Sequence, residues 1–205
     1  MILFIFFILM SLTFGNMWSK NKKNISIVRN VNNTKKNNKK MVMPVPSRRV
    51  RPKGSMGTKS FWGTPTWYLF HSLAEKVDSL KYEKHYMVMW KFIIDICSSL
   101  PCPFCKTHAV NYTSVIPTSS INTKEKLITV LFNFHNDVNL RTGKGIQSRE
   151  VLDKYKNSNL NKILELFNNR FFVSYIGRRH FDDWIKNKTK KQTEIFIDFY
   201  NKNLL

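Results

Sequence analysis

Two cysteines separated by two residues, Cys102 and Cys105, are the side chains of this sequence best suited to chemistry. Thiols at that spacing can close and reopen a small disulfide ring, which is a two-electron exchange. The chain has one other cysteine, Cys97, so the pair does not belong to a framework of structural disulfides. The pair therefore either carries out redox chemistry or supplies half of a metal site.

The metal alternative combines the pair with Cys97 and His108, which gives four ligands of types that zinc accepts. Structural zinc sites usually draw their ligands from two separated knuckles, whereas these four residues lie within twelve positions. Cys97 also falls on the apolar stripe of a predicted helix, where a cysteine is more often a small core residue. We therefore expect a redox pair and no metal.

A predicted helix begins at the pair, with Cys102 near its first turn and Pro103 at a position where proline is tolerated. Unpaired backbone N–H groups and the positive end of the helix macrodipole favour a thiolate there. We expect Cys102 to be the more reactive sulfur and Cys105, one turn further in, to be shielded. This asymmetry suits an outer sulfur that exchanges with a substrate and an inner sulfur that passes electrons inward.

Apolar residues recur at helical spacing from about residue 60 onward, and the sequence has no alternating run long enough for a convincing strand. The predicted helical segments are 67–77, 86–100, 102–115, 123–140, a short one at 148–155, and two more within 160–205. The sequence thus predicts an all-α fold: a four-helix bundle with a short fifth helix and extra C-terminal helices packed on it.

Residues 1–18 are predicted to form a hydrophobic membrane anchor, at the lower limit for crossing a bilayer. The first positive charges follow the apolar run, which predicts a single-pass protein with its body in the cytoplasm. No positive charge precedes the run and no small-residue cleavage pattern follows it, which argues against a signal peptide. A start at a later methionine (Met17, Met41 or Met56) would remove the anchor.

Residues 19–58 are polar and basic and follow neither a helical nor a strand period, so we expect a disordered linker. The formal net charge of +21 is concentrated near this end, since residues 1–55 hold 12 of the 34 Lys and Arg residues and none of the 13 Asp and Glu residues. Abundant Asn and Lys are also typical of an AT-rich genome. The charge is therefore weak evidence for nucleic-acid binding.

Two further blocks place imidazole, aromatic and amide groups one helical turn apart. Trp67 and His71 share one face of the first predicted helix, whereas His135 and Asn139 share one face of the fourth and are followed by Lys144. Such groups can stack on a flat heterocycle and hydrogen-bond to it, and a lysine can meet a phosphate. Taken singly, each group could equally be core packing with a polar tip.

Three ordered blocks, WGxxxWxxxH at 62–71, CxxCxxH at 102–108 and HNxVNxxxGK at 135–144, resemble the Erv/ALR family of FAD-linked sulfhydryl oxidases. The resemblance covers about residues 61–155. The Trp-Gly opening and the segment 146–150 are most similar to members from nucleocytoplasmic large DNA viruses, such as mimivirus-like giant viruses. The resemblance implies a FAD-binding sulfhydryl oxidase domain at 59–157, followed by a helical C-terminal extension at 158–205.

The same resemblance implies a thiol oxidase with FAD held in the mouth of the bundle. Electrons would pass from a substrate dithiol to the Cys102–Cys105 disulfide, then to FAD, and finally to O2, giving hydrogen peroxide. The implied cofactor-binding residues are Trp62, Trp67, His71, His108, His135, Asn139, Lys144 and Tyr155.

The chain departs from cellular members at Thr64, where an arginine is common, and near Phe132 and Arg149, where they carry extra cysteines. It also lacks a second cysteine pair, so we expect Cys102 to accept electrons directly from a thioredoxin-like or other dithiol protein. A homodimer is implied as well.

Given the viral resemblance, an oxidase facing the host cytoplasm would form disulfides in virion proteins and could itself enter the virion. The competing interpretation is a membrane-tethered basic adaptor that binds nucleic acid through a zinc knuckle at the cysteine pair.

Overall fold

The computed structural model describes residues 58–175 and 180–205, and these residues belong to one compact unit. The α-helices are α1 Lys59–Lys76, α2 Ser79–Ser98, α3 Pro103–Ser114, α4 Lys124–Arg141, α5 Asp153–Lys156, α6 Leu160–Phe171 and α7 His180–Asn203. Short 3-10 helices lie at Thr118–Ser120, Arg149–Leu152 and Phe172–Tyr175. No strand occurs among the described residues, and the predicted all-α fold is confirmed.

Polar side chains and a proline determine where these helices begin. The side-chain oxygens of Asp78, Thr123 and Asn159 each accept a hydrogen bond from a backbone N–H in the first turn of α2, α4 and α6. Pro103 is the first residue of α3, where its missing N–H would have no helical partner anyway. These local signals explain why α3 and α4 begin within one residue of their predicted starts, whereas α1 and α2 begin eight and seven residues before the predicted segments 67–77 and 86–100.

Helices α1 and α4 run antiparallel. Lys124, at the start of α4, donates a hydrogen bond to the carbonyl of Val77, just past the end of α1, at 2.8 Å. Towards the other end of α4, His135 stacks on Trp67 in the middle of α1. The beginning of α1 therefore lies beside the end of α4, and buried apolar side chains of both helices belong to the same core.

The C-terminal helices complete the core, as the sequence predicted. The aromatic pairs that join them to the bundle are Phe171 with Trp62, 6.5 Å between ring centroids, and Phe196 with Phe92, 3.9 Å between ring centroids. The Tyr200 hydroxyl on α7 also donates to the Leu73 carbonyl on α1 at 2.8 Å. The apolar side chains of α6 and α7 thus share a single buried cluster with those of α1 and α2.

None of the helices that the structure describes combines the length and the apolar character needed to cross a membrane. The predicted anchor at 1–18 lies outside the described residues. The predicted linker at 19–58 does too, except for Thr58, which is the N-cap residue of α1.

Candidate functional site

The cysteine pair occupies the N-terminus of α3, with Cys102 as its N-cap residue. The Cys105 N–H donates a hydrogen bond to the Cys102 Sγ at 3.3 Å. Both cysteine side chains are half-buried. The first turn of α3 therefore directs a backbone N–H group at the outer sulfur.

Ionisation of the inner sulfur is opposed by its surroundings. Burial and the neighbouring Cys102 together raise the pKa of the Cys105 thiol to about 12. The cations of Lys59 and Arg141 act in the opposite direction and lower that pKa. At neutral pH the reduced Cys105 therefore keeps its proton, and the two cations are the groups nearby that favour its release.

An aromatic cluster joins α1, α4 and α5. The rings of Trp67 and His135 are stacked, with centroids 4.1 Å apart and planes 6° from parallel. His71 Nε2 lies 3.1 Å from His135 Nδ1, within hydrogen-bond distance, and the Tyr155 ring stacks on His71 with centroids 4.5 Å apart. Four of the eight predicted cofactor residues thus form one continuous set of ring contacts.

The two histidines of this cluster are uncharged at neutral pH. Burial, together with His135 and Lys154, lowers the pKa of His71 to about 3. Burial, Lys154 and Lys144 lower the pKa of His135 to about 4. Each neutral imidazole has one N–H donor and one acceptor nitrogen, so one ring can donate the hydrogen bond that the other accepts. The cluster therefore offers flat, uncharged rings close to two lysine cations.

His108 connects the cysteine helix to the aromatic cluster. It lies three residues after Cys105, and its Nε2 is 2.7 Å from the Asp137 Oδ2 of α4. Its ring is 6.1 Å from that of Phe134, which in turn meets Trp67 edge-on at 5.1 Å. A series of ring contacts therefore runs from His108, one helical turn after Cys105, through Phe134 to the stacked rings.

The remaining predicted residues are placed differently. Asn139 is buried, and its backbone carbonyl accepts a hydrogen bond from the Lys144 N–H at 2.8 Å, which closes the turn after α4. Gly143 makes this turn with a φ of 70°, in the left-handed region that favours glycine. The Lys144 side chain is exposed. Trp62 is buried and packs edge-on against Phe171, on the side of α1 that faces α6.

The sequence analysis missed two charged residues of this site. Lys154 lies over the ring of Tyr155, with its Nζ 4.8 Å from the centroid, and burial lowers its pKa. Asp137 places its carboxylate against the His108 ring at the distance given above. Asp137 falls inside the HNxVN block, and Lys154 directly precedes Tyr155. Their positions next to predicted site residues are the only sequence signal that could have identified them.

The zinc alternative is not supported by this geometry. Within 58–175 and 180–205, no three His, Cys, Asp or Glu side chains are close enough to hold a metal ion. Cys97 is buried in α2 with 2% of its surface exposed, and burial raises the pKa of its thiol to about 12. The four residues of the proposed knuckle therefore do not converge, and Cys97 is a core residue.

Comparison with known proteins agrees with the motifs. The sequence model of the Erv1 / Alr family matches residues 64–157, from α1 to the turn after α5. The FAD-linked sulfhydryl oxidase of African swine fever virus is 35% identical over 106 residues, which is 50% of this chain and 86% of the viral protein. The putative FAD-linked sulfhydryl oxidase 096R of Invertebrate iridescent virus 3 is 30% identical over 97 residues, 46% of this chain and 66% of that protein.

No solved structure matches the chain significantly. The coverage and identity of the viral relatives nevertheless define its family: the chain belongs to the Erv1 / Alr family. The resemblance inferred from the three blocks is thereby confirmed. The family match ends before α6, so α6 and α7 lie outside the matched residues.

Proposed function

We propose that this protein is a FAD-dependent thiol oxidase that forms disulfide bonds in partner proteins and uses O2 as its electron acceptor. The observation that carries the proposal is the position of the Cys102–Cys105 pair one helical turn before His108, whose ring is linked through Phe134 to the stacked rings. Family membership and the names of the viral relatives, a FAD-linked sulfhydryl oxidase and a putative one, support the same enzyme class.

The residues present fit FAD. The neutral rings of Trp67, His71, His135 and Tyr155 offer flat surfaces to a heterocycle, while Lys144 and Lys154 offer cations to a diphosphate. Trp67 and His135 are only half-buried, so the cluster is accessible from solvent. When bound, FAD supplies the acceptor that takes two electrons from the dithiol and passes them to O2, giving hydrogen peroxide.

We assign the cofactor contacts to all eight residues that the family motifs indicate. Those outside the ring cluster are Trp62, His108, Asn139 and Lys144. His108 is the best supported of these four because its ring lies against Phe134, which meets the Trp67 ring edge-on. Trp62 is the least supported because its ring is directed towards Phe171.

Substrate exchange takes place at Cys102. A substrate thiolate attacks the Cys102 sulfur of the oxidised pair, the bond to Cys105 breaks, and a mixed disulfide forms. The second substrate thiolate then attacks the substrate sulfur of that mixed disulfide, and Cys102 leaves as a thiolate. The substrate loses two electrons and two protons, and the cysteine pair gains them. The N–H of Cys105 stabilises Cys102 as the leaving group in the second step.

The cysteine pair must then return to the disulfide, and Cys105 is the sulfur that faces the cofactor in this proposal. A thiol with a raised pKa is a poor electron donor until it loses its proton. Lys59 and Arg141 lower the pKa of Cys105, and they therefore favour the thiolate that this step requires.

Spectroscopy and oxygen uptake test the oxidase function. The purified protein should be yellow and should consume O2 when given dithiothreitol. Cys105→Ser should keep the flavin absorbance and lose turnover, whereas Cys97→Ala, the matched control, should keep both. A colourless protein that carries one zinc ion per chain would contradict the proposal, as would undiminished turnover in Cys105→Ser.

We further propose that the substrate is a thioredoxin-like or other dithiol protein and that the oxidase is a homodimer. Residues 1–18 tether the protein to a membrane. Residues 59–157 then lie in the cytoplasm or the virion. The tether is tested by deleting residues 1–18, which should move the protein from the membrane fraction to the supernatant. Retention of the shortened protein on membranes would contradict the anchor.

A further inference from the structure

The cysteine pair lies at the same end of the bundle as the last turn of α4. His108 of α3 contacts Asp137, and Tyr112, four residues later, stacks on Phe134, three residues earlier. The two helices are therefore antiparallel, and earlier residues of α3 lie beside later residues of α4. Extending this register by one helical turn places the pair at 102–105 beside residues 140–143.

The first turn of α1 reaches the same place. The contacts of α1 with α4 pair residue 77 with 124 and residue 67 with 135. The same antiparallel register, continued towards the start of α1, places Lys59 beside the end of α4. The reach of both Lys59 and Arg141 to the Cys105 sulfur is consistent with this placement.

This end of the bundle is both apolar and basic. Phe104, between the two cysteines, has 82% of its surface exposed, and Leu140 has 60% exposed. Lys59 and Arg141 are exposed as well. In the described helices that meet here, the first turns of α1 and α3 contain no acidic side chain, and the last turn of α4 contains a basic one. We call Lys59, Phe104, Leu140 and Arg141 the cysteine face.

We propose that the cysteine face is the docking surface for the protein substrate and that it selects cysteines flanked by acidic and apolar side chains. The proposal rests on the oxidase function proposed above and names its substrate class. Phe104 and Leu140 cover an apolar side chain next to the substrate cysteine. Lys59 and Arg141 attract carboxylates, which raises the rate of encounter and orients the incoming thiol towards Cys102.

Two model peptides test this selection with the full-length holoenzyme. Both contain the same cysteine pair and the same apolar neighbour, with Asp at the flanking positions of one and Lys at those of the other. At low salt the acidic peptide should be oxidised with a kcat/KM about tenfold higher than the basic peptide, and added salt should reduce this ratio.

Charge reversal then assigns the selection to the cysteine face. Lys59→Glu combined with Arg141→Glu should bring the ratio of acidic to basic peptide to about one or below it. Because the ratio compares two peptides on the same variant, any change in the reactivity of the cysteines cancels. Lys162→Glu combined with Lys190→Glu changes the net charge equally at exposed positions on α6 and α7, and it should leave the ratio unchanged.

The apolar contact is tested separately. Phe104→Ser should lower the kcat/KM for both peptides several-fold and leave the charge ratio as it is in the wild type. Its rate with dithiothreitol, which is too small to cover the ring, should be unaffected.

Equal rates for the two peptides, or a ratio that the double reversal does not change, would overturn this proposal. Because dithiothreitol needs no docking surface, normal oxidation of dithiothreitol in the same experiment would leave the oxidase function standing. Failure of the holoenzyme to oxidise dithiothreitol would instead overturn the oxidase function itself.

Discussion

Lowering the pH from 7 to 5 should destabilise the fold by about 2 kcal/mol through His71 alone. His71 is 2% exposed, and its burial together with His135 and Lys154 lowers its pKa to about 3. In the unfolded chain a histidine binds its proton near pH 6.5. Between about pH 6.5 and pH 5 the unfolded state thus holds one more proton than the folded state, at a cost of about 1.4 kcal/mol per pH unit.

The sign of this effect follows from the lowered pKa. The contribution of His71 to stability is fully present above pH 6.5 and is lost progressively as the pH falls towards 3. Urea unfolding at pH 7, 6 and 5, followed by helical circular dichroism, measures the free energy of unfolding at each pH.

His71→Phe is the informative variant because phenylalanine can still stack on Tyr155 but does not titrate. Its free energy of unfolding should fall by about 2 kcal/mol less than that of the wild type between pH 7 and pH 5. Glu75, whose pKa is raised by burial, titrates in both proteins and cancels in the difference. The same pH dependence in wild type and variant would refute the conclusion that His71 is buried and neutral.

Three further predictions concern the core. Tyr200→Phe should lower the free energy of unfolding by about 1 kcal/mol in urea titrations, because the Leu73 carbonyl loses one buried donor and keeps the Val77 N–H; an unchanged midpoint would contradict this. Cys97→Ala should cost about 1 kcal/mol by the same measurement and leave the oxygen uptake with dithiothreitol unchanged, and a loss of turnover would place Cys97 on the electron path. Removal of residues 160–205 should uncover the apolar side of α1 and abolish cooperative thermal unfolding, whereas a soluble truncated protein with a sharp transition would contradict the shared core.

The helices were predictable because each has a strong local signal. Apolar residues at helical spacing mark the buried face, and Pro103 and the capping residue Thr123 mark where α3 and α4 begin. What covers each face was not predictable, because periodicity identifies a buried stripe without naming its partner. The contact of Trp62 with α6 is of this kind, since it depends on a helix more than ninety positions away in the sequence.

The candidate site was likewise predictable only in part: the spacing within one helix was readable from the sequence, and the contacts between helices were not. The spacing of Trp67 and His71 placed both on one face of α1, and the structure brings that face against His135. The link between the cysteine helix and the rings was not visible, because the contact of His108 with Asp137 joins two helices. Lys154 was missed because an exposed lysine on a short helix has no sequence pattern of its own.

The distance along the chain between α1 and its partners has a consequence for biosynthesis. The Leu73 carbonyl receives its hydrogen bond from a hydroxyl 127 residues later, and the apolar side of α1 packs on α6 and α7. On the ribosome, α1 therefore emerges long before the helices that cover it, and closing such long loops slows folding. The nascent bundle presents an uncovered apolar surface for most of its synthesis, which makes it a natural client for chaperones that bind such surfaces.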